Sequence, residues 1–295
     1  MTGAGRYAPS PSGDLHLGNL RTAVLAWLFA RRTGRSFVLR VEDLDRVREG
    51  SEARQLADLA ALAVDFDGPV LHQSDRRDSY AAAIESLRAD GRVYECFCTR
   101  REIQQAASAP HAPQGAYPGT CRHLSDTERA QRRAGGRRAA LRLRADVDAY
   151  TVHDALAGEY TGVVDDLVLQ RTDGVPAYNL AVVVDDGFQG VDQVVRGDDL
   201  LASAPRQAYL AGLLDIPEPT YVHVPLALGP TGARLAKRDG AVTLRDRLDA
   251  GESVQDVVEM IAASIGTPGC RSLDDIAGRW TPALLPRDPW FVAFP

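Results

Sequence analysis

Near the N-terminus of this 295-residue chain, a histidine, two glycines and several paired charges are arranged as phosphate chemistry requires. The stretch reads Arg6-Tyr7-Ala8-Pro9-Ser10-Pro11-Ser12-Gly13-Asp14-Leu15-His16-Leu17-Gly18-Asn19, and Arg40-Val41-Glu42-Asp43-Leu44-Asp45 follows. An imidazole at a helix start can donate to a phosphate oxygen, and a glycine beside it lets a flat base approach the backbone. His16 and Gly18 are placed for those two tasks. Far along the chain, Arg234, Lys237 and Arg238 share a loop with Gly229, Gly232 and Gly240, the make-up of a segment that closes over polyphosphate. Cys96, Cys98 and Cys121 are three of only four cysteines. Clustered thiols in a reducing compartment suggest a soft metal such as zinc, which takes four ligands. Tyr117, His111 and His123 are within reach as the fourth; Cys270 is remote and reads as a packing residue.

Elements of a particular kind must hold these groups. Residues 6–9 predict a short strand and the Pro-Ser-Pro-Ser-Gly run a turn. Residues 20–32 carry apolar side chains at helical spacing (Leu20, Val24, Trp27, Leu28), and 36–41 form a second apolar strand. Strand, turn, helix and strand make a βαβ unit whose helix N-terminus is a phosphate site. The Gly-x-Gly-x-x-Gly fingerprint and the Walker lysine loop are both absent, which argues against a dinucleotide site and a P-loop ATPase. Helices are expected over 51–64, 79–90 and 254–265, and a strand over 163–170. Val182-Val183-Val184-Asp185-Asp186 reads as an apolar strand presenting acids at a sheet edge, and residues 194–200 as a strand-to-helix junction.

Composition is that of an ordinary globular chain, 45% hydrophobic and 25% charged. No apolar run is long enough to span a bilayer and no signal-peptide pattern opens the chain, so a cytoplasmic protein without membrane contact is expected. A net charge of −6 argues against indiscriminate coating of nucleic acid. A local basic face is still possible in sequence terms: Arg129, Arg132, Arg133, Arg137, Arg138, Arg142 and Arg144 are either a solvated surface or a phosphate-contacting one.

Taken together, the stretch from Arg6 to Asn19, Arg40 to Asp45, Tyr178-Asn179-Leu180-Ala181, Arg196-Gly197-Asp198-Asp199-Leu200 and Arg234-Leu235-Ala236-Lys237-Arg238 resemble, in order, the motifs of class I aminoacyl-tRNA synthetases of the glutamyl branch. The first looks like that branch's "HIGH" region and the last like its "KMSKS" loop. The likeness extends to about residue 245, where the anticodon-reading region of glutamyl-tRNA synthetases would begin. The Cys-x-Cys and Tyr-x-x-x-Cys arrangement resembles the zinc insertion of a shorter family, the glutamyl-queuosine tRNA(Asp) synthetases. There are departures: Asn19 replaces a histidine, Arg234 a lysine and Ala236 a serine, while Lys237 is kept.

The resemblance implies an α/β fold: a Rossmann-like parallel sheet with an inserted zinc-containing subdomain and a short helical C-terminal tail. It divides the chain into a catalytic first half (1–92), the insertion (93–170), a catalytic second half with the mobile-looking loop (171–245) and the tail (246–295). It implies ATP-dependent activation of L-glutamate without tRNA, then transfer to the queuosine cyclopentenediol in the anticodon of tRNA(Asp). His16 and Lys237 are the implied catalytic groups. Pro9, His16, Gly18, Asn19, Arg234 and Lys237 would bind ATP, with Mg²⁺ accompanying it. Arg6, Ala8, Ser10, Glu42, Tyr178 and Arg196 would bind glutamate, and Cys96, Cys98, Tyr117 and Cys121 one structural Zn²⁺. A monomer is expected. A short glutamyl-tRNA synthetase charging a tRNA 3′ end and a non-catalytic binding paralogue are the rival readings.

Overall fold

The computed structural model describes residues 3–99, 101–103, 117–233, 235 and 242–292. Contacts divide the chain into two compact units: Met1–Gln73, Gly190–Leu201 and Thr220–Pro295 make the first, Ser74–Gln189 and Ala202–Pro219 the second. The first opens with β1 (Ala4–Tyr7), α1 (Leu17–Arg32), β2 (Ser36–Val41), α2 (Ser51–Ala61) and β3 (Leu71–His72). The second supplies α3 (Arg77–Ala89), β4 (Val93–Cys96), α4 (Asp126–Ala134), β5 (Ala140–Leu143), β6 (Ala149–Asp154), β7 (Gly158–Val163), β8 (Val168–Gln170) and α5 (Tyr178–Phe188). Next come β9 (Val191–Gly197) in the first unit and α6 (Ala204–Leu213) in the second. The first unit closes with β10 (Thr220–Val224), β11 (Ala227–Leu228), α7 (Leu244–Asp249), α8 (Val254–Ser264), α9 (Leu273–Arg279) and β12 (Trp290–Phe291).

In the first unit, five strands lie side by side in the order β3-β2-β1-β9-β10, and every pairing is parallel. All four residues of β1 are buried, as a central strand covered on both faces demands. From β1 the sheet grows in one direction through β2 and β3 and in the other through β9 and β10. Ligands of such sheets bind beyond the carboxyl ends of the strands at this reversal. Arg6 and Arg196 occupy the carboxyl-terminal parts of the two strands that flank it.

Helix α1 backs the sheet with Leu17, Leu20, Leu25 and Ala30 at 0% exposure. Its contact with β1 is so close that a Cβ at Gly5 would come 2.8 Å from the Ala30 methyl. Residues 253–292 belong to the same unit and pack on α1. Fully buried Trp280 meets Phe29 edge-on at 5.0 Å and donates from Nε1 to Ile265 O. Buried Arg21 donates to Pro225 O at 2.6 Å and to Ser264 Oγ at 3.0 Å. Burial pulls its pKa down to about 10, against the opposing field of Asp198.

On α2, burial first and then Asp14 push the half-buried Asp58 carboxyl up to about 6, with Arg54 pulling the other way. The folded chain therefore holds a proton that the unfolded chain releases near pH 4, so stability falls as pH rises from about 4 to about 6 and is level above. Asp58→Asn should gain about 1 kcal/mol at pH 7, a value reduced for solvent screening, and nothing at pH 3.5. Urea denaturation at the two pH values reads the difference; an equal change at both would contradict it.

The second unit corrects two expectations. Val182–Asp186 lies in helix α5, not in a strand, because a short apolar run fits a buried helix as well as a strand. There Asp185 is buried and accepts from Arg76 Nε at 2.6 Å and Tyr80 Oη at 2.8 Å. These bonds tie α3 to α5 within the second unit. Residues 163–170 form the end of β7 and a separate β8, not one strand. β4, β5 and β8 make an antiparallel sheet, and β6 and β7 form an antiparallel hairpin. Among the described residues, no helix is long and apolar enough to cross a membrane.

Candidate active site and metal centre

At the start of α1 the His16 Nδ1 accepts from Asn19 N at 3.1 Å, and Asn19 Oδ1 accepts from His16 N at 3.1 Å. This reciprocal cap satisfies two helix-terminal N–H groups, the task usually given to serine and glutamate. A ring nitrogen that accepts carries no proton, so His16 is neutral with its hydrogen on Nε2. Burial lowers its pKa further, with its own backbone opposing, which keeps it a neutral donor. The backbone N–H of residue 19 fixes the imidazole tautomer, while the Asn19 side chain, the departure from the motif, caps His16 N. A Cβ at Gly18 would lie 2.9 Å from Ala227 Cβ and 3.1 Å from the His16 ring, so only glycine fits between them.

Leu17 N donates to Val242 O at 2.8 Å, and His16 forms an isolated bridge with Thr243. The residues that follow the basic loop are therefore fastened to the start of α1. Arg234 and Lys237, with Ala236 and Arg238, lie outside the described residues, as does His111.

The turn after β1 is clasped from α2. Buried Gln55 donates from Nε2 to Ser10 O at 3.0 Å and to Gly13 O at 2.6 Å. Glu42 N donates to Pro9 O at 2.9 Å and Arg48 N to Pro11 O at 2.8 Å. Arg6 is buried, Ala8 and Pro9 are half-buried and Ser10 is exposed. The Glu42 carboxylate stands 3.5 Å from fully buried Arg40. Buried Arg196 donates from Nε to His223 Nε2 at 3.0 Å and from Nη2 to Leu200 O at 3.4 Å. Tyr178 opens α5 in the second unit and is 46% exposed. The structure thus brings Arg6, Ala8, Pro9, Ser10, His16, Gly18, Asn19, Glu42 and Arg196 into one unit.

Gln55 and His223 were not among the residues expected from sequence. Each had a signal: Gln55 is a polar residue on the buried Ser51-Gln55-Leu59 face of α2, and His223 interrupts an apolar strand.

The three thiols of Cys96, Cys98 and Cys121 lie within 4.8 Å of one another, the one such group of potential ligands among the described residues. Tyr117 Oη joins them, accepting from Cys96 Sγ at 3.3 Å and from Cys121 N at 2.8 Å and lying 3.9 Å from Cys98 Sγ. Cys98 and Cys121 Sγ are 3.5 Å apart, close to the roughly 3.8 Å edge of a tetrahedral zinc–thiolate site. Phe97 N and Arg132 Nη1 point at Cys121 Sγ, 3.5 and 3.9 Å away, the kind of donors that steady a thiolate. Burial and then Cys121 push the Cys98 thiol up to about 12. For Cys121 burial acts upward, but the Phe97 N–H and the Cys98 and Tyr117 hydrogen bonds together carry it down. This soft, enclosed donor set fits one zinc. His123 is exposed and outside the group.

Most of the arginine-rich stretch is engaged locally. Arg133 pairs with Glu95, Arg137 with Glu102 at 3.2 Å and Arg129 with Asp126 at 2.8 Å. Arg142 lies over the Tyr117 ring at 3.7 Å and Arg144 over Tyr94 at 5.0 Å.

Residues 4–263 match the family described as tRNA synthetases class I (E and Q), catalytic domain. A relative from Nocardia farcinica named glutamyl-Q tRNA(Asp) synthetase is 66% identical over 290 residues, covering 98% of this chain and 93% of its own. The chain belongs to the glutamyl-Q tRNA(Asp) synthetases. A second member of that family, from Cutibacterium acnes, is 53% identical over 90% of this chain and 76% of its own. The fold agrees: a glutamate tRNA ligase from Elizabethkingia meningosepticum, solved with its amino acid, superposes with a TM-score of 0.84 at 26% identity, covering 99% of this chain and 67% of that one. Membership of the family makes the chain a class I aminoacyl ligase acting on glutamate.

Proposed function

We propose that the chain activates L-glutamate with ATP in the absence of tRNA and transfers it to the cyclopentenediol of queuosine in the anticodon of tRNA(Asp). The observation that carries the first half is the pairing of Arg6 and Arg196, on adjacent strands at the sheet's reversal, with a helix N-terminus capped by a neutral imidazole. The names of the relatives support the second half.

Activation needs no protein nucleophile. The glutamate α-carboxylate attacks the α-phosphorus of ATP, a carboxylate–phosphate bond forms, and pyrophosphate leaves with the electron pair. What the protein supplies is alignment and neutralisation of growing charge. His16 donates its Nε2 proton as a hydrogen bond to phosphate oxygen, aided by the α1 dipole. Pro9, Gly18 and Asn19 shape the nucleotide's berth, and Arg234 and Lys237 hold the β,γ-phosphates. Mg²⁺, brought with ATP, neutralises phosphate charge.

Arg6 or Arg196 takes a glutamate carboxylate, and Glu42 its ammonium; Ala8, Ser10 and Tyr178 are the remaining glutamate-binding residues of this reading. Glutamine would leave one buried guanidinium without its anion and is rejected for that reason. Residues 93–170 act as the insertion that holds one structural zinc through Cys96, Cys98, Tyr117 and Cys121, with no ligand position left open. The enzyme works as a cytoplasmic monomer, where ATP and tRNA meet.

The test is transfer of labelled glutamate, with ATP and Mg²⁺, to tRNA from cells that make queuosine and from cells that cannot. Label confined to queuosine-containing tRNA(Asp) is expected. Equal label on tRNA(Glu) from both pools would make this a short glutamyl-tRNA synthetase instead.

A further inference from the structure

His223 stands opposite Arg196 in the parallel register of β10 and β9, so the two side chains leave the sheet on the same face. Both are buried, at 4% and 5% exposure. The Arg196 Nε–H reaches His223 Nε2 at 3.0 Å, the guanidinium lies 5.5 Å from the Tyr221 ring, and that ring stacks on His223 at 5.9 Å and 20°. A guanidinium can only donate, so His223 Nε2 must offer a lone pair and the ring proton must sit on Nδ1. A side chain with several rotatable bonds is thereby held at its inner nitrogen by an acceptor that is itself buried on a strand.

We propose that His223 is the positioning residue that aims Arg196 at the glutamate carboxylate. The proposal rests on the reading of Arg196 as a carboxylate-binding residue. A guanidinium whose Nε–H is committed to His223 can meet a carboxylate bidentately only through its two terminal nitrogens. The histidine thus sets the direction of approach as well as the rotamer. Loss of the acceptor would leave a buried N–H without its partner and let the guanidinium swing, which weakens capture of the amino acid and leaves the nucleotide's berth at α1 unchanged.

Glutamate-dependent ATP–pyrophosphate exchange tests this on the full chain. His223→Phe keeps the ring and removes the acceptor; it should raise KM for glutamate about tenfold, the cost of one misplaced charged hydrogen bond, with KM for ATP within about twofold. His223→Gln places an amide oxygen where Nε2 was and should restore most of the loss. Equal defects in the two variants, or an unchanged glutamate KM in His223→Phe while Arg196→Lys raises it, would overturn the positioning role and spare the pocket. An unchanged glutamate KM in Arg196→Lys would overturn the pocket reading and the proposal with it. Independently of any variant, ¹⁵N spectra of the unaltered protein should show His223 as the Nδ1–H tautomer; the Nε2–H tautomer or an imidazolium would overturn the proposal.

Discussion

Replacing His16 by serine should leave the protein as stable as before and slow glutamyl-adenylate formation by about a hundredfold or more. The two effects separate because His16 does two things with two nitrogens. Its Nδ1 caps α1 by accepting from Asn19 N, and a serine hydroxyl performs that task equally well. Its Nε2–H points away from the cap, and serine has nothing that reaches so far. His16→Ala removes both functions and should lose about 1 kcal/mol of stability as well as the rate. Thermal melts paired with ATP–pyrophosphate exchange read the two quantities. Full exchange activity in a stably folded His16→Ser protein would remove the imidazole from the phosphate chemistry.

Loss of zinc should have the largest effect on stability. Cys121→Ala deletes the thiol on which Phe97 N, Cys98 Sγ and Arg132 Nη1 converge, in a small core with Tyr94, Cys96, Phe97 and Tyr117. That core is too small to hold the β4-β5-β8 sheet without a cross-link, so the loss should reach about 4 kcal/mol or more, the scale reserved for deleted metals and large cavities. Elemental analysis should find one zinc per chain in the unaltered protein, none in Cys121→Ala, a reduced content in Tyr117→Phe and an unchanged one in His123→Ala. A protein purified without chelator that contains no zinc, or a zinc content that follows His123 instead of Tyr117, would refute the ligand set.

The parts legible in the sequence were those whose cause is local. The βαβ opening could be read because its strands are apolar runs, its helix has 3.6-residue periodicity, and Pro and Gly mark the turn between. The thiol cluster could be read because Cys96 and Cys98 are neighbours in the chain. What escaped depends on pairing between distant segments. Nothing near Arg196 in sequence announces His223, since their contact follows from the register of two parallel strands. Gln55 reaches back to Ser10 across a helix packing that no periodicity reveals. Val182–Asp186 was misread because a run of valines carries no period; in the fold it lies within the helix Tyr178–Phe188, where Asp185 meets Arg76 and Tyr80. The C-terminal fifty residues looked like a tail because Pro and Gly break them into short pieces with one evident helix, yet fully buried Trp280 packs edge-on against Phe29.

The order of the five-stranded sheet also bears on how long the chain must wait during its own synthesis. β1 finds β2 within about thirty residues, but its other neighbour is β9, which begins more than 180 residues after β1 ends. At roughly 5–20 residues per second, that is about 10–40 seconds in which a buried-type strand has one bare edge, with N–H and C=O groups ready to pair with any passing strand. During that interval residues 74–189 emerge, the larger part of the second unit, but α6, which completes that unit, is made only after β9. Ribosomal speed along those residues therefore sets how long the half-built sheet is open to aggregation, and faster elongation there shortens the exposure without altering a single contact of the finished fold.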